Sequence, residues 1–192
     1  MKKTNDTTSS MKARQLLNTA RELFLAQGFL AVRVSDIALQ SGLSKRTVYR
    51  LHESREQLTA AVIIHDFEAW EEWFFDAVDQ GRKAGVSPLE SFHAVLALWT
   101  RSSDFRGCLF ARVLLAGDMM PEAARRAAVS CAERLHEYFL EQAANARIPG
   151  REPFARAQLA YALLLLGGVA RELGEQFRDG LTGDMQALFK KG

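Results

Sequence analysis

Apolar residues recur at helical spacing from one end of the chain to the other, and no stretch alternates with polar residues at the period of a strand. Residues 11–27 place Leu16, Leu17, Ala20, Leu23 and Phe24 on one stripe, with Arg14, Arg21 and Glu22 off it. That predicts an amphipathic helix stopped by Gly28. Val34 to Leu51 reads as two short helices about a glycine. Ser35 is the expected N-cap of the first, which carries Ile37, Ala38 and Leu39, and Ser41-Gly42-Leu43 forms the turn. Ser44 caps the second, which sets Val48 and Leu51 against Ile37. A long helix then runs from Ser54, its N-cap, to about Gln80, with no Gly or Pro until Gly81. At ~1.5 Å per residue it reaches roughly 40 Å. Further helical patterns cover 88–101, 106–117, 121–146, 153–178 and 182–190. Pro88, Pro121 and Pro153 stand near their starts, where a missing amide hydrogen is tolerated. The predicted fold is all-α.

Charge sharpens this picture. The net charge of +2 hides an asymmetry: residues 1–55 hold ten Lys or Arg against four acids, which leaves +6, while the remaining fifteen bases and nineteen acids give −4. A cationic end on an anionic body orients a protein toward phosphate. The cations concentrate on the outer face of the second short helix, as Lys45, Arg46 and Arg50 with Thr47 and Tyr49 between them. Two capped helices about a glycine, with a basic outer face on the second, make a helix-turn-helix, and double-stranded DNA the expected partner.

Other classes fade. Met1 to Ser10 is polar and unpatterned, so residues 1–10 are expected to be a flexible arm rather than a secretory signal, with the protein in the cytoplasm. The longest apolar run, Leu159 to Ala170, is shorter than the ~18 residues of a spanning helix, so no membrane is expected. Cys108 and Cys131 have neither metal-ligand spacing nor a CxxC arrangement, which fits a reducing compartment and implies no metal or cofactor. Cys108 follows a glycine at a helix start, where a thiolate sensor is conceivable; burial as a small apolar residue is the preferred reading. His65-Asp66 and His136-Glu137 are adjacent pairs that diverge by roughly 100° on a helix and form no catalytic dyad. With no HExxH, phosphate loop or nucleophile elbow, an enzyme is not expected.

The stretch Gly28 to Leu58, GFLAVRVSDIALQSGLSKRTVYRLHESREQL, resembles the N-terminal domain of TetR-type transcriptional regulators. Gly28-Phe29, Asp36-Ile37-Ala38, Ser41-Gly42-Leu43-Ser44, Thr47-Val48-Tyr49 and Ser54-Arg55-Glu56 carry the likeness. It is close over residues 11–60, and Arg106-Gly107-Cys108-Leu109-Phe110 resembles one branch of the family. Leu51, His52 and Arg55 depart from the family's usual residues. His52 reads first as a partly exposed junction histidine, with pH sensing or DNA contact the alternative. The implied architecture is a flexible arm (1–10), a three-helix DNA-binding domain (11–53), and a helical ligand-binding and dimerisation domain (54–192) entered by the long linking helix.

Docking of such a motif would bring Ser44, Lys45, Arg46 and Thr47 nearest the base edges, with Tyr49, Arg50, Ser35, Arg33 and Arg55 on phosphates. Phe67, Trp70, Trp73, Phe74, Phe92, Leu96, Trp99 and Phe110 are candidates to line an apolar effector pocket, although any one of them also suits the core. The nearly all-apolar helix around Leu159, Ala162, Leu163, Leu166, Gly167, Val169 and Ala170 is the candidate homodimer interface, with Gly167-Gly168 permitting close approach. The reading is a homodimeric repressor of a palindromic operator, released by an unidentified small molecule. A ligand-responsive activator, or a regulator acting through protein contacts, remains the alternative.

Overall fold

The computed structural model describes residues 2–103, 105–168 and 180. The order is α1 (Lys2–Gln27), α2 (Val34–Gln40), α3 (Lys45–Leu51), α4 (Arg55–Lys83), α5 (Pro88–Thr100), α6 (Leu109–Ala116), a short 3-10 turn, α7 (Glu122–Asn145) and α8 (Arg151–Leu166). The described residues contain no strand, and none of their helices is long and apolar enough to cross a membrane. The all-α expectation holds.

The first expected stripe is the buried face of α1: Leu16, Ala20, Leu23 and Phe24 are all but excluded from solvent. The helix starts earlier than that stripe, however. Residues 2–10, expected as a flexible arm, continue it as helix, because backbone hydrogen bonding extends a packed helix without an apolar face of its own. Ser54 caps α4 as expected, its Oγ accepting the Gln57 N–H at 3.1 Å. Ser87 and Glu90 form a capping box at the head of α5.

α4 is the spine. It packs on α1, α5, α6 and α7, and one contiguous core runs from Leu16 to Leu166 across the boundary expected at residue 54. Arg134 of α7 clips onto it by pairing with Glu71 and Glu68, and its guanidinium carbon stands 5.0 Å over the Phe67 ring.

One of the polar groups buried among the described residues is a carboxylate. Asp66 of α4 is 3% exposed, and its two oxygens are divided between neighbours: Oδ1 accepts from Arg21 Nε of α1 at 2.6 Å, and Oδ2 from the Leu109 N–H at the head of α6 at 3.0 Å. Burial opposes the Arg21 charge, but the attraction and hydrogen bond of Asp66, aided by Glu22, outweigh it and raise the guanidinium's pKa. Arg112 of α6 also donates to the Leu25 carbonyl of α1 at 3.3 Å. The Cys108 N–H donates to the Leu166 carbonyl at the end of α8, at 2.8 Å. Gly107 permits that approach, since a Cβ there would lie 2.9 Å from the same carbonyl oxygen. Four helices thus meet at the head of α6.

Of the helix anticipated over 153–178, the described part is α8, which gives way at Gly167 and Gly168 to a turn, since two glycines in succession disfavour helix; residues 169–178 lie outside the described residues. Gly167 packs against Leu115 of α6. The helix expected at 182–190 lies outside the described residues.

The buried polar groups carry measurable stability. Asp66→Ala strands the Leu109 N–H and the partly exposed Arg21, and is expected to cost about 2–3 kcal/mol in urea unfolding; a cost below ~0.5 kcal/mol contradicts the role given to the carboxylate. Burial pushes the His93 imidazole down to about 4, against the opposing pull of a hydrogen bond with Gln158. The unfolded chain protonates near 6.5, so the stability this neutral histidine carries is full above pH 6.5 and is lost as pH falls toward 4. It amounts to at most about 3 kcal/mol. Unfolding curves at pH 7.5 and 4.5 are expected to diverge less for His93→Gln than for the parent, and equal divergence refutes the assignment.

Candidate nucleic-acid interface

The motif is built by local chemistry around α2 and α3. α2 begins one residue before Ser35: Arg33 is its N-cap, and Asp36 reaches back to accept the Arg33 N–H at 3.0 Å. The expected Ser35 cap is therefore replaced by an aspartate at N3, a better acceptor for an orphan amide and a negative charge at the positive end of the helix dipole. Ser35 lies half-buried beside it. At the other end Gly42 adopts φ +66, which a Cβ would strain, and a Schellman pair follows: Leu43 N–H to Ala38 O at 3.0 Å and Gly42 N–H to Leu39 O at 3.2 Å. Gln15 of α1 pins the turn from outside, its Nε2 donating to the Ser41 carbonyl at 2.9 Å.

Ser44 caps α3 as expected, its Oγ accepting the Thr47 N–H at 3.1 Å and lying 2.9 Å from Thr47 Oγ1. Both hydroxyls are thus engaged within the helix start. Val48 and Ile37 are buried as expected and Leu51 is partly so, while Leu39 is 83% exposed on the opposite face of α2. Lys45, Arg46, Tyr49 and Arg50 stand exposed on one side of α3.

An open cleft of about 340 Å³ gathers Arg33, Ser35, Lys45, Tyr49 and Arg55 with Leu30, Val32 and Val34. All the expected phosphate-side residues except Arg50 meet there, joined by Lys45. Arg55 has an additional role that its sequence context did not reveal. Its Nη2 donates to the Phe29 carbonyl at 2.6 Å and to that of Val32 at 3.2 Å, so it ties the α1–α2 loop to the head of α4. His52 is the half-buried C-cap of α3, and burial lowers its pKa.

The expected pocket divides in two. Phe67, Phe74, Phe92, Leu96 and Phe110 are fully buried and packed on one another, with Phe67 edge-on to Phe110 at 5.1 Å and Phe74 to Phe92 at 4.9 Å. They pack on one another as part of the core. Trp70, Trp73 and Trp99 instead border a surface cleft. Cys108 is 2% exposed and burial raises its thiol pKa well above the ordinary range, which favours an inert core residue. No group of acidic, His and Cys side chains suited to a metal occurs among the described residues.

The residues expected at a dimer face differ in exposure. Ala162 and Leu166 are fully buried inside their own protomer, because this side of α8 faces α5, α6 and α7. Leu159, Leu163 and Gly167 are half-open, and Val169 and Ala170 lie outside the described residues.

A cationic recognition helix on a three-helix platform, carried by a long helix into a helical body, defines a helix-turn-helix DNA-binding regulator. Residues 16–62 match the family model for bacterial regulatory proteins of the tetR family. Residues 16–62 thus carry a DNA-binding domain of that family's kind. Solved structures agree in fold: Escherichia coli NemR in its reduced form superposes with a TM-score of 0.78 at 15% identity, over 92% of this chain and 95% of that one. A TetR-family transcriptional regulator from Agrobacterium tumefaciens gives 0.71 at 17% identity over 92% and 96%. One from Streptomyces coelicolor gives 0.69 at 19% identity, also over 92% and 96%. No curated relative matches the chain by sequence.

Arg55→Ala is expected to speed amide exchange over residues 29–34 and to lower stability by about 1–2 kcal/mol, whereas Arg33→Ala leaves both unchanged. Indistinguishable exchange in the two variants contradicts the loop-tying role of Arg55.

Proposed function

We propose that the chain is a homodimeric repressor that reads a palindromic operator through α3 and is released by a small, largely apolar molecule bound to its helical body. The observation that carries this reading is the exposed cationic face of α3, held rigid by the Ser44 cap, the Gly42 turn and the buried Val48. Arg46 is the base reader, a fork suited to the two acceptors of guanine. Lys45, Arg33, Ser35, Tyr49 and Arg55 converge on the 340 Å³ cleft and grip a backbone phosphate there, with Arg50 on a neighbouring one. Ser44 and Thr47, whose hydroxyls serve the cap, place α3 more than they read sequence.

One α3 offers too few base contacts for specificity, so two are needed. The half-open stripe of Leu159 and Leu163 supports pairing through α8, since an apolar helix face left half-covered is stabilised by a second copy. Release then works through geometry. α4 spans from the loop-tying Arg55 to the body, and Asp66 fixes its position against α1 and α6. A ligand that favours another setting of this junction moves the two recognition helices off successive major grooves.

Selection from a random DNA pool is expected to yield a palindrome whose half-site centres lie about 34–36 Å apart or at a multiple of one helical turn. On that DNA, Arg46→Ala is expected to lose about 1–3 kcal/mol and relax preference at one base position. Arg33→Ala is expected to weaken selected and random DNA alike and reduce the salt slope by about 1. Equal losses on both DNAs for both variants refute the division of labour, and a light-scattering dilution series that finds only monomer refutes the dimer.

A further inference from the structure

All three tryptophans of the chain meet where α1 crosses α4 and α5. They border an open cleft of about 460 Å³, within the size range of small-molecule sites, whose walls also include Arg21, Glu22 and Asp66. Trp99 stacks on Trp70 with ring centroids 6.1 Å apart and planes 28° apart, and Trp73 tilts against Trp99 at 5.5 Å. Trp73 is 49% exposed, a large indole surface left to solvent at the rim.

The charges decide what such a surface attracts. Arg21 is spent on carboxylates: Nε donates to Asp66 and Nη1 to Glu22 at 2.5 Å, while the second Asp66 oxygen holds the Leu109 N–H. One guanidinium against two carboxylates leaves the cleft with a formal charge of −1. His65, also on the wall, shares a 2.6 Å hydrogen bond with Asn18, and burial together with nearby Arg14 lowers its pKa, so it adds no positive charge at neutral pH. An anionic ligand would meet an Arg21 already neutralised by Asp66 and the repulsion of a second carboxylate, Glu22. A cation meets no such obstacle, and indole faces, with their negative π potential, attract it.

We propose that this cleft is the effector site and that it takes a lipophilic, aryl-bearing organic cation, seated on Trp73 and Trp99 beside the carboxylate excess of Glu22 and Asp66. The assignment rests on the ligand-release reading above and locates that ligand at the junction. The position suits an effector, because the walls belong to α1, which carries the DNA-binding domain, and to α4 and α5 of the body. An occupant therefore loads the contact through which Asp66 holds the two together.

The test uses the full chain with tetraphenylphosphonium and tetraphenylborate, matched in shape and opposite in charge, read by tryptophan fluorescence and calorimetry. Saturable binding of the phosphonium at least tenfold tighter than the borate is expected. Trp73→Ala, at an exposed position, is expected to weaken phosphonium binding at least tenfold, and Glu22→Gln to reduce the preference for the cation at least threefold. No saturable phosphonium binding, a preference for the borate, or affinity unchanged in Trp73→Ala overturns the site. Mobility shift with pool-selected DNA separates the two readings. Phosphonium binding that leaves DNA affinity unchanged overturns the effector role while the cation site stands. DNA release by another compound without phosphonium binding overturns the site while ligand release stands.

Discussion

A single buried carboxylate organises this molecule. Asp66 sits in the apolar register of the longest helix, between Ile63 and Trp70, at a position where desolvation disfavours charge unless both oxygens are satisfied. They are satisfied by donors from two other helices, the Arg21 guanidinium and the amide at the head of α6. Neither donor can be withdrawn without stranding the charge, so α1, α4 and α6 are held in one relative position by more than apolar contact. Apolar packing alone is less directional and tolerates sliding.

The same junction separates two rigid parts of the molecule. The DNA-binding end is locked by short-range devices, namely the Asp36 and Ser44 caps, the Gly42 turn, Gln15 on the Ser41 carbonyl and Arg55 on the α1–α2 loop. The body is locked by interleaved rings from α4, α5, α6 and α7. Between them lies a polar contact beside an open, tryptophan-lined cleft, with Arg112 and the Cys108 amide extending the link to α1 and α8. Discrete polar contacts have alternative settings in a way that a packed aromatic core does not.

What could be read from the sequence was whatever depends on near neighbours. Ser44, Gly42 and Val48 declare α3 and its turn within a few residues, and Ser54 declares the start of α4, so fold class and recognition helix were legible. Ser35 and Asp36 illustrate the margin of such reading: both can cap α2, and the carboxylate at N3 displaces the hydroxyl. Roles that depend on distant partners were hidden. Asp66 finds its donors 45 and 43 residues away, and Arg55 finds its carbonyls 26 and 23 residues back, where composition shows only another cation near a DNA-binding motif. The aromatics posed the same difficulty, since core rings and cleft rings share one helix, and only packing separates Phe67 and Phe74 from Trp73. A lone acid in the buried register of α4 was the one available signal of the junction.

The most direct test of the Asp66 junction is the distance between the recognition helices of the proposed dimer. Spin labels at Glu53→Cys, an exposed position next to α3, avoid the buried Cys108 and Cys131, and pulsed dipolar spectroscopy reads the separation. A single narrow inter-protomer distance, compatible with recognition helices about 34–36 Å apart, is predicted for the parent chain, and a broadened or displaced one for Asp66→Asn. An identical distribution in the two proteins would contradict the claim that this carboxylate sets the DNA-reading geometry.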